Sequence, residues 1–322
     1  MVINPPKIAI IILNYNSAED TLACLGSLRA ANGGERRVWV VDNASEDGSQ
    51  ESLPPQLRDG EVWLETGENL GYAGGNNAGI RAAMEWGAEY VLILNPDCRV
   101  EPDFLPPLVR ALEGFPKAGM ACPLVLDEGG ATVQSLGGET DLWTGRCGRR
   151  LNGTPAEAAG QQRWSEVDFP HGACVLMRRE MLEDVGLFNE AYFLYYEDVE
   201  LGLRARREGW LTLAIPHSRV RHADTTERGK GDPVVAYYGT RNQAWVVAEY
   251  GSFLQRLSFL LLCCYGRWPL NVLGRAFRGQ FKAAGAVARG AWRGHYGKDW
   301  QAAGHLALPW QGRPKRYPEP LP

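Results

Sequence analysis

The residues able to do chemistry in this 322-residue chain stand at the ends of apolar runs. Asp97 closes the stretch Val91 to Asp97, Val-Leu-Ile-Leu-Asn-Pro-Asp. Its four consecutive apolar residues read as a strand buried on both faces. Pro96 fixes its own φ and pushes Asn95 into an extended conformation, so the chain leaves the sheet there. The Asp97 carboxylate then lies just past the carboxyl end of a central strand, in the crevice where open α/β sheets bind ligands. A hard carboxylate at that point suits a divalent cation that also touches phosphate oxygens. The same carboxylate would equally serve to cap the turn Cys98 to Phe104. A second acidic group, Glu197-Asp198, opens a segment in which Val199, Leu203 and Ala205 interleave with Arg204, Arg206 and Arg207. That spacing predicts an amphipathic helix ending near Gly209, whose dipole the two carboxylates would compensate at the least. His171 and Cys174 lack partners at zinc spacing, which favours packing or acceptor contact over metal binding.

Positioning these groups falls to alternating strands and helices. Lys7 to Leu13 reads as a buried strand ending at Asn14-Tyr15-Asn16-Ser17, and Ser17 is a fair N-cap for a helix over Ala18 to Ala30. Val38 to Val41 is the next strand, ending at Asp42-Asn43-Ala44-Ser45-Glu46-Asp47-Gly48-Ser49. Strand, helix, strand at this spacing is a right-handed crossover, which puts both strand ends on one rim. Val62 to Leu64 precedes a glycine-rich stretch, Glu68 to Gly79, that enters a helix reaching about Trp86. Glycines let backbone approach a ligand, and a helix N-terminus favours an anion. Neither a Gly-x-Gly-x-x-Gly after the first strand nor a Gly-Lys-Ser/Thr occurs, which argues against a dinucleotide-binding or P-loop enzyme. Ala118 to Leu126 and Trp210 to Ile215 read as further strands, the latter leading to His217 and His222. Ala131 to Gly145 is turn-rich, and Leu151 to Arg163 reads as a mobile surface loop.

Composition narrows the class. The length predicts one large domain with an appendage, and a net charge of −4 gives no reason to expect nucleic-acid binding. Seven cysteines without a Cys-x-x-Cys pair read as reduced, buried thiols of a cytoplasmic protein. Met1 to Lys7 lacks the pattern of a signal peptide. The longest apolar run, Leu257 to Tyr265, is too short to span a bilayer and is bracketed by Arg256 and Arg267.

Four motifs in order, Asn14-Tyr15-Asn16, Val41-Asp42-Asn43-x-Ser45-x-Asp47-Gly48-Ser49, Glu68-Asn69-x-Gly71-Tyr72-Ala73-Gly74-Gly75-Asn76-Asn77 and Leu94-Asn95-Pro96-Asp97, resemble glycosyltransferase family 2, nearest its bacterial rhamnosyltransferase and galactofuranosyltransferase branch. The resemblance covers roughly the first 240 residues. It implies a GT-A fold, Rossmann-like, with a mostly parallel central sheet flanked by helices, a nucleoside-diphosphate sugar donor and a divalent metal, Mg2+ or Mn2+. On that pattern Tyr15 lies against the base and Asp42 bonds its edge, while Asn14, Asn16 and Asn43 line the nucleotide site. Asn69, Gly71 and Asn76 border nucleotide and ribose. Asp97 takes the metal-binding position of the family's Asp-x-Asp motif, and Asn95 replaces the first aspartate. The Gly172-Ala173 pair lies near the donor sugar, Asp198 is the catalytic base, and Glu197 orients the site or the acceptor. A histidine beyond the base completes the metal site; His222 fits that place, with His217 as the other option. The implied reaction is inverting transfer from a dTDP- or UDP-sugar to a glycan or lipid-linked acceptor in cell-envelope polysaccharide synthesis. A sugar nucleotidyltransferase would carry a Gly-rich, Arg-containing loop after the first strand, and a non-catalytic carbohydrate-binding scaffold would not need Asp42, Asp97, Asp198 and His222 together.

Residues 1–245 are therefore expected to form the catalytic domain, with 1–97 as its nucleotide-binding half and 98–245 as its acceptor-binding half. Residues 246–322 form a helical appendage ending in a Pro-rich, extended tail, Pro309 to Pro322. Tyr237-Tyr238-x-x-Arg241-Asn242 is also familiar from this branch, with Arg241 reaching the diphosphate or bracing the helix. Over 251–300, Arg256, Arg267, Arg275, Arg278, Lys282, Arg289, Arg293 and Lys298 interleave with Phe253, Leu257, Phe259, Trp268, Phe277 and Trp292. Two readings fit: basic amphipathic helices on the anionic inner face of the cell membrane, or an appendage packed on the catalytic domain or another subunit.

Overall fold

The apolar runs become neighbouring strands of one ten-stranded sheet in the computed structural model, which describes residues 5–161, 163–223 and 231–296. Its first half is β1 (Ile8–Asn14), α1 (Ala18–Arg29), β2 (Arg36–Asp42), α2 (Ser49–Ser52), β3 (Glu61–Glu65), α3 (Gly71–Glu85) and β4 (Tyr90–Leu94). Strands β4, β1, β2 and β3 lie side by side and parallel. In β1, Ile8, Ile10 and Ile12 enter one core while Ala9 and Ile11 enter the core on the opposite face. Period-two alternation with both faces apolar is what a sheet covered by helices on each side requires.

The second half is β5 (Cys98–Val100), α4 (Leu105–Gly114), β6 (Ala118–Leu126), β7 (Val133–Ser135), β8 (Gly138–Asp141), β9 (Arg146–Arg149), α5 (Ala156–Gly160), β10 (Ser165–Val167), β11 (Cys174–Arg178), α6 (Arg179–Val185), α7 (Glu197–Arg207) and β12 (Leu211–His222). Here the sheet turns mixed. β11 inserts antiparallel between β4 and β6, and β12 runs parallel to β6 and antiparallel to β5 and β10. The parallel half ends and the antiparallel half begins where β4 meets β11, and the site described below lies at that seam.

Several expectations change. The stretch after Asp97 is not only a turn: Cys98–Val100 pairs with β12, so that His222 stands opposite Cys98. The strand expected to stop at Ile215 runs on to His222. Its register slips between Ile215 and Arg219, around Pro216, because proline cannot donate to a ladder and is accommodated at a bulge. The segment expected as a mobile loop, 151–163, holds α5, whose Ala156 and Ala159 are buried against Cys122, Leu124 and Leu136. The turn-rich stretch 131–145 supplies β7 and the β8–β9 hairpin. Ser17 makes no side-chain cap bond; Asp47 accepts from the Ala18 N–H instead, at 3.4 Å.

The chain continues into α8 (Pro233–Tyr250), α9 (Phe253–Phe259), a π-helical segment (Leu260–Arg267), α10 (Trp268–Phe277) and α11 (Phe281–Tyr296). The expected boundary at 245 falls inside α8, a single uninterrupted helix. α11 crosses α8 closely, because a Cβ on Gly290 would come 2.6 Å from the Tyr237 carbonyl oxygen. Of the aromatic residues expected on a surface face, Phe259 and Trp268 are buried with Ala244 and Val247 of α8. Phe253, Leu257, Phe277 and Trp292 are exposed. Each reading of the appendage thus claims part of that set. The tail from Pro309, together with Lys298, lies outside the described residues.

Candidate active site

Four strand or helix ends converge on one rim. The carboxyl end of β1 delivers Asn14, fully buried, whose Nδ2 donates to Asp42 Oδ1 (2.8 Å) and Ser45 Oγ (3.0 Å). Its Oδ1 accepts from Thr21 Oγ1 at 2.8 Å. Asn14 was expected to touch the nucleotide, but every polar atom of its amide is already engaged, so it positions Asp42. Asp42, at the end of β2, also accepts from the Ser45 N–H and Gln50 Nε2, both at 3.1 Å. Tyr15 is 46% exposed, the state of a ring available for stacking. Asn16 adopts φ 52° and its Oδ1 accepts from the Glu46 N–H at 2.7 Å, tying the β1 and β2 loops together.

The glycine-rich segment does something other than expected. Asn43 donates to Asn69 Oδ1 (3.0 Å) and accepts from the Leu70 N–H (3.0 Å), fixing the approach to α3. The first free N–H groups of α3 are not open to an anion. Those of Tyr72 and Ala73 donate to the Phe193 carbonyl, at 2.7 and 3.3 Å. Gly71 has φ +70°, and a Cβ there would sit 2.5 Å from Phe193. A Cβ on Gly79 would lie 2.5 Å from Ile11 Cγ2. The glycines therefore serve close packing of helix on sheet and loop, as a missing Cβ permits. Asn76, expected at the ribose, is fully buried on α3 itself; its Nδ2 donates to Tyr72 O and its Oδ1 has no partner among the described residues.

Past β4, the Asn95 N–H donates to Ala173 O at 2.9 Å, which leaves the Asn95 side chain half-buried at the rim. Asp97 follows, and its Oδ1 lies 3.2 Å from His222 Nε2. Gln134 of β7 decides the imidazole tautomer. Its Nε2 donates to the His222 carbonyl (2.8 Å), so its Oε1 must be the atom 2.9 Å from His222 Nδ1. An amide oxygen only accepts, hence Nδ1 carries the hydrogen. In the neutral ring the Nε2 lone pair then points at a carboxylate oxygen, an arrangement that a proton or a metal cation between them satisfies. Cys98 Sγ is the third potential donor within 4.8 Å. Burial pushes its thiol well above the usual range and it donates to Ala173 O, so it is a poor ligand for a hard cation. His217 is exposed on β12. His171 stacks edge-on against His222, ring centroids 5.6 Å apart, and its Nδ1 accepts from the Ala173 N–H.

The segment His171-Gly172-Ala173 bridges this group to the second carboxylate pair. Asp198, in the first turn of α7, accepts from the Gly172 N–H (3.0 Å) and the Val199 N–H (2.8 Å). Burial raises its pKa, opposed by those two N–H groups and by the charge of Arg149. Tyr72 donates to Gly172 O at 2.6 Å, closing the wall. Glu197 is only 5% exposed and its Oε2 has no partner among the described residues. Burial, then repulsion from Asp198, pushes its pKa well above the usual range. Its carboxyl stands next to Asp198 in the first turn of α7, in place to orient the site.

Sequence reasoning left open what the Arg241-Asn242 pair does and missed Gln134 as part of the site. Phe193, Tyr195 and Tyr196, which lead into α7, all have positive φ, at 62°, 65° and 70°. Bulky residues hold that conformation only when their surroundings over-determine it. Asn242, fully buried, donates through Nδ2 to the carbonyls of Tyr192, Leu194 and Tyr195 at 2.9, 2.9 and 2.6 Å. Arg241 donates to Ala191 O (2.7 Å) and Tyr192 O (2.9 Å) and lies 4.1 Å over the Trp245 ring. Arg241 thus braces the loop rather than reaching a diphosphate. Asn242→Asp is expected to set a carboxylate against three carbonyls and destabilise the protein by roughly 3 kcal/mol, read as a lower midpoint in urea with unchanged m-value.

Comparison with known proteins identifies the fold and the family. The mannosyltransferase PcManGT from Pyrobaculum calidifontis, solved with GDP-Man and Mn2+, superposes with a TM-score of 0.57 at 16% identity, covering 92% of this chain and 89% of that one. The fold is therefore that of the GT-A-like glycosyltransferases. The family model for glycosyl transferase family 2 matches residues 9–186, and the chain belongs to that family. It is 33% identical over 202 residues to the low-salt glycan biosynthesis hexosyltransferase Agl10 of Haloferax volcanii, spanning 62% of each chain. It is 29% identical over 248 residues to the N-acetylglucosaminyl-diphospho-decaprenol L-rhamnosyltransferase of Mycobacterium tuberculosis, 71% of this chain and 80% of that one.

Proposed function

We propose that the chain is an inverting, metal-dependent glycosyltransferase that moves a sugar from a dTDP- or UDP-sugar to a hydroxyl of a lipid-linked or polysaccharide-precursor acceptor. The observation that carries this reading is the juxtaposition of Asp97 and His222, lone pair toward carboxylate, with Asp198 held across the Gly172-Ala173 peptides. Asp97 and His222 would hold Mg2+ or Mn2+, which when bound neutralises a departing diphosphate. Tyr15 offers an exposed ring to the base, and Asp42, braced by Asn14, an acceptor to its edge. Asn16, Asn43, Asn69, Gly71 and Asn95 shape the surrounding loops. Asp198 takes the proton of the attacking hydroxyl, for which a raised pKa is an advantage. Direct displacement by that oxygen inverts the anomeric centre. Residues 1–97 form the nucleotide side and 98–245 the acceptor side.

No helix among the described residues is long and apolar enough to cross a membrane. Between 251 and 296 there is no acidic residue, and Phe253, Leu254, Leu261 and Phe277 are exposed beside Arg256 and Arg278. We read this region as a peripheral contact with an anionic membrane on the cytoplasmic side, which lipid-linked acceptors require.

The test is nucleotide-sugar binding and turnover across a dTDP, UDP and GDP panel, with and without Mn2+ or Mg2+. Metal-dependent binding should be lost in Asp97→Ala and kept in Asp198→Asn, with transfer lost in both. A folded wild type that binds no nucleotide under any condition would sink the reading in favour of a carbohydrate-binding scaffold. Gln134→Leu removes the group that orients His222, and is expected to weaken Mn2+ affinity by about 10–100-fold, measured by titration in the presence of nucleotide.

A further inference from the structure

The β8–β9 hairpin, α8 and the C-terminal helices enclose a cleft of about 490 Å³, separate from the rim that holds Asp42 and Asp97. Arg146 lines it from β9 and Arg267 and Arg275 from the appendage, with Thr240, Gln243 and Asn271 between them. An adjoining pocket shares Arg267 and Arg275 and adds Arg278. Among the described residues no Asp or Glu lines either space. Among the described residues no carboxylate pairs with Arg146, Arg267 or Arg275. Guanidinium groups gathered without counter-charge repel one another until an anion joins them, and their forked donors match phosphate oxygens. Arg275 commits Nε to Asn271 Oδ1 at 2.7 Å, an anchor that leaves its terminal nitrogens available.

Tyr196, the residue before Glu197-Asp198, and Cys147 also line the cleft. α10, which supplies Trp268, Asn271 and Arg275 to its wall, carries Leu270, Leu273 and Phe277, exposed by 68, 54 and 89%. An anion site with an apolar face on one of its helices and a wall residue adjacent in sequence to the carboxylate pair fits one amphiphile. We propose that this cleft seats the diphosphate of a polyprenyl-diphosphate-linked acceptor, its lipid lying over Leu270, Leu273 and Phe277 and its sugar directed past Tyr196 to Asp198. The assignment rests on the transferase reading and names its acceptor class.

Farnesyl diphosphate is the probe, titrated calorimetrically into the whole chain and into Arg146→Ala and Arg275→Ala. Farnesol, phosphatidylglycerol vesicles and UDP with Mn2+ are titrated into the same samples. Loss of one charge-assisted contact should weaken farnesyl diphosphate binding by about tenfold or more in each variant, with UDP binding unchanged. Equal affinity in all three proteins overturns the proposal, as does farnesol binding as well as the diphosphate. An equal loss of vesicle binding also overturns it, by making the arginines a general lipid contact. Failure of wild type to bind UDP alongside arginine-dependent farnesyl diphosphate binding supports this cleft while removing the donor reading.

Discussion

Asp198→Asn is expected to lower kcat by about 10²–10⁴-fold, the usual worth of a positioned general base, with donor affinity kept. The side chain is nearly isosteric but its amide can accept from only one of the Gly172 and Val199 N–H groups, so an unchanged thermal midpoint is the control that assigns the loss to the proton acceptor. The pH profile carries an independent sign. Burial raises the Asp198 pKa, and the Gly172 and Val199 N–H groups and Arg149 pull it back. With Asp198 as the proposed base the carboxylate is the active form, so kcat/KM should fall as pH drops through that raised pKa. The acidic limb therefore stands above the ordinary carboxylate range. Arg149→Ala removes a positive charge that favours the carboxylate and should move the limb to higher pH. A limb at the ordinary position, or an Asp198→Asn enzyme with a tenth of wild-type activity, contradicts the assignment.

Arg204→Leu should cost about 3–5 kcal/mol of stability, because it strands a buried charge. Glu200 is fully buried, and Arg204 meets it through two bonds of 2.9 Å each. Tyr250 OH adds a third bond to the carboxylate at 2.8 Å. Arg204 also donates to Val185 O and, at 2.7 Å, to Leu187 O, tying the last turn of α7 to the end of α6. Without the guanidinium, Glu200 keeps only the tyrosine hydroxyl, and the thermal midpoint should drop by on the order of 10 °C. The double replacement Glu200→Leu, Arg204→Leu should recover part of that loss, since neither member of the pair is left charged, while the Val185 and Leu187 carbonyls still lose their donor. A single-variant loss below about 1 kcal/mol would show that water reaches the pair.

Local chemistry made the parallel half of this protein readable. Apolar runs ending in Asn14, Asp42 and Asn95-Pro96-Asp97 announce buried strands whose ends share a rim, because a right-handed crossover leaves no other arrangement. The helix over Glu197 to Arg207 was legible for the same reason, from spacing alone. The glycines of α3 were read correctly as close approach but toward the wrong partner. A missing Cβ does not say whether Leu13, Ile11 and Phe193 or a phosphate will fill the space.

By itself the sequence determined where the parallel strands end, the acidic residues there, and the family they resemble. Each of those depends on neighbours within a few positions, where φ restrictions and hydrophobic period act directly. Only the tertiary structure decided that His222 rather than His217 meets Asp97, since that choice depends on a register slip at Pro216 and on pairing with β5, 120 to 124 positions earlier in the chain. It also decided that Gln134 sets the tautomer, that Asn242 holds a strained loop before Asp198, and that three arginines from two distant segments share one cleft. Those are contacts between residues far apart in sequence, and no local propensity records them.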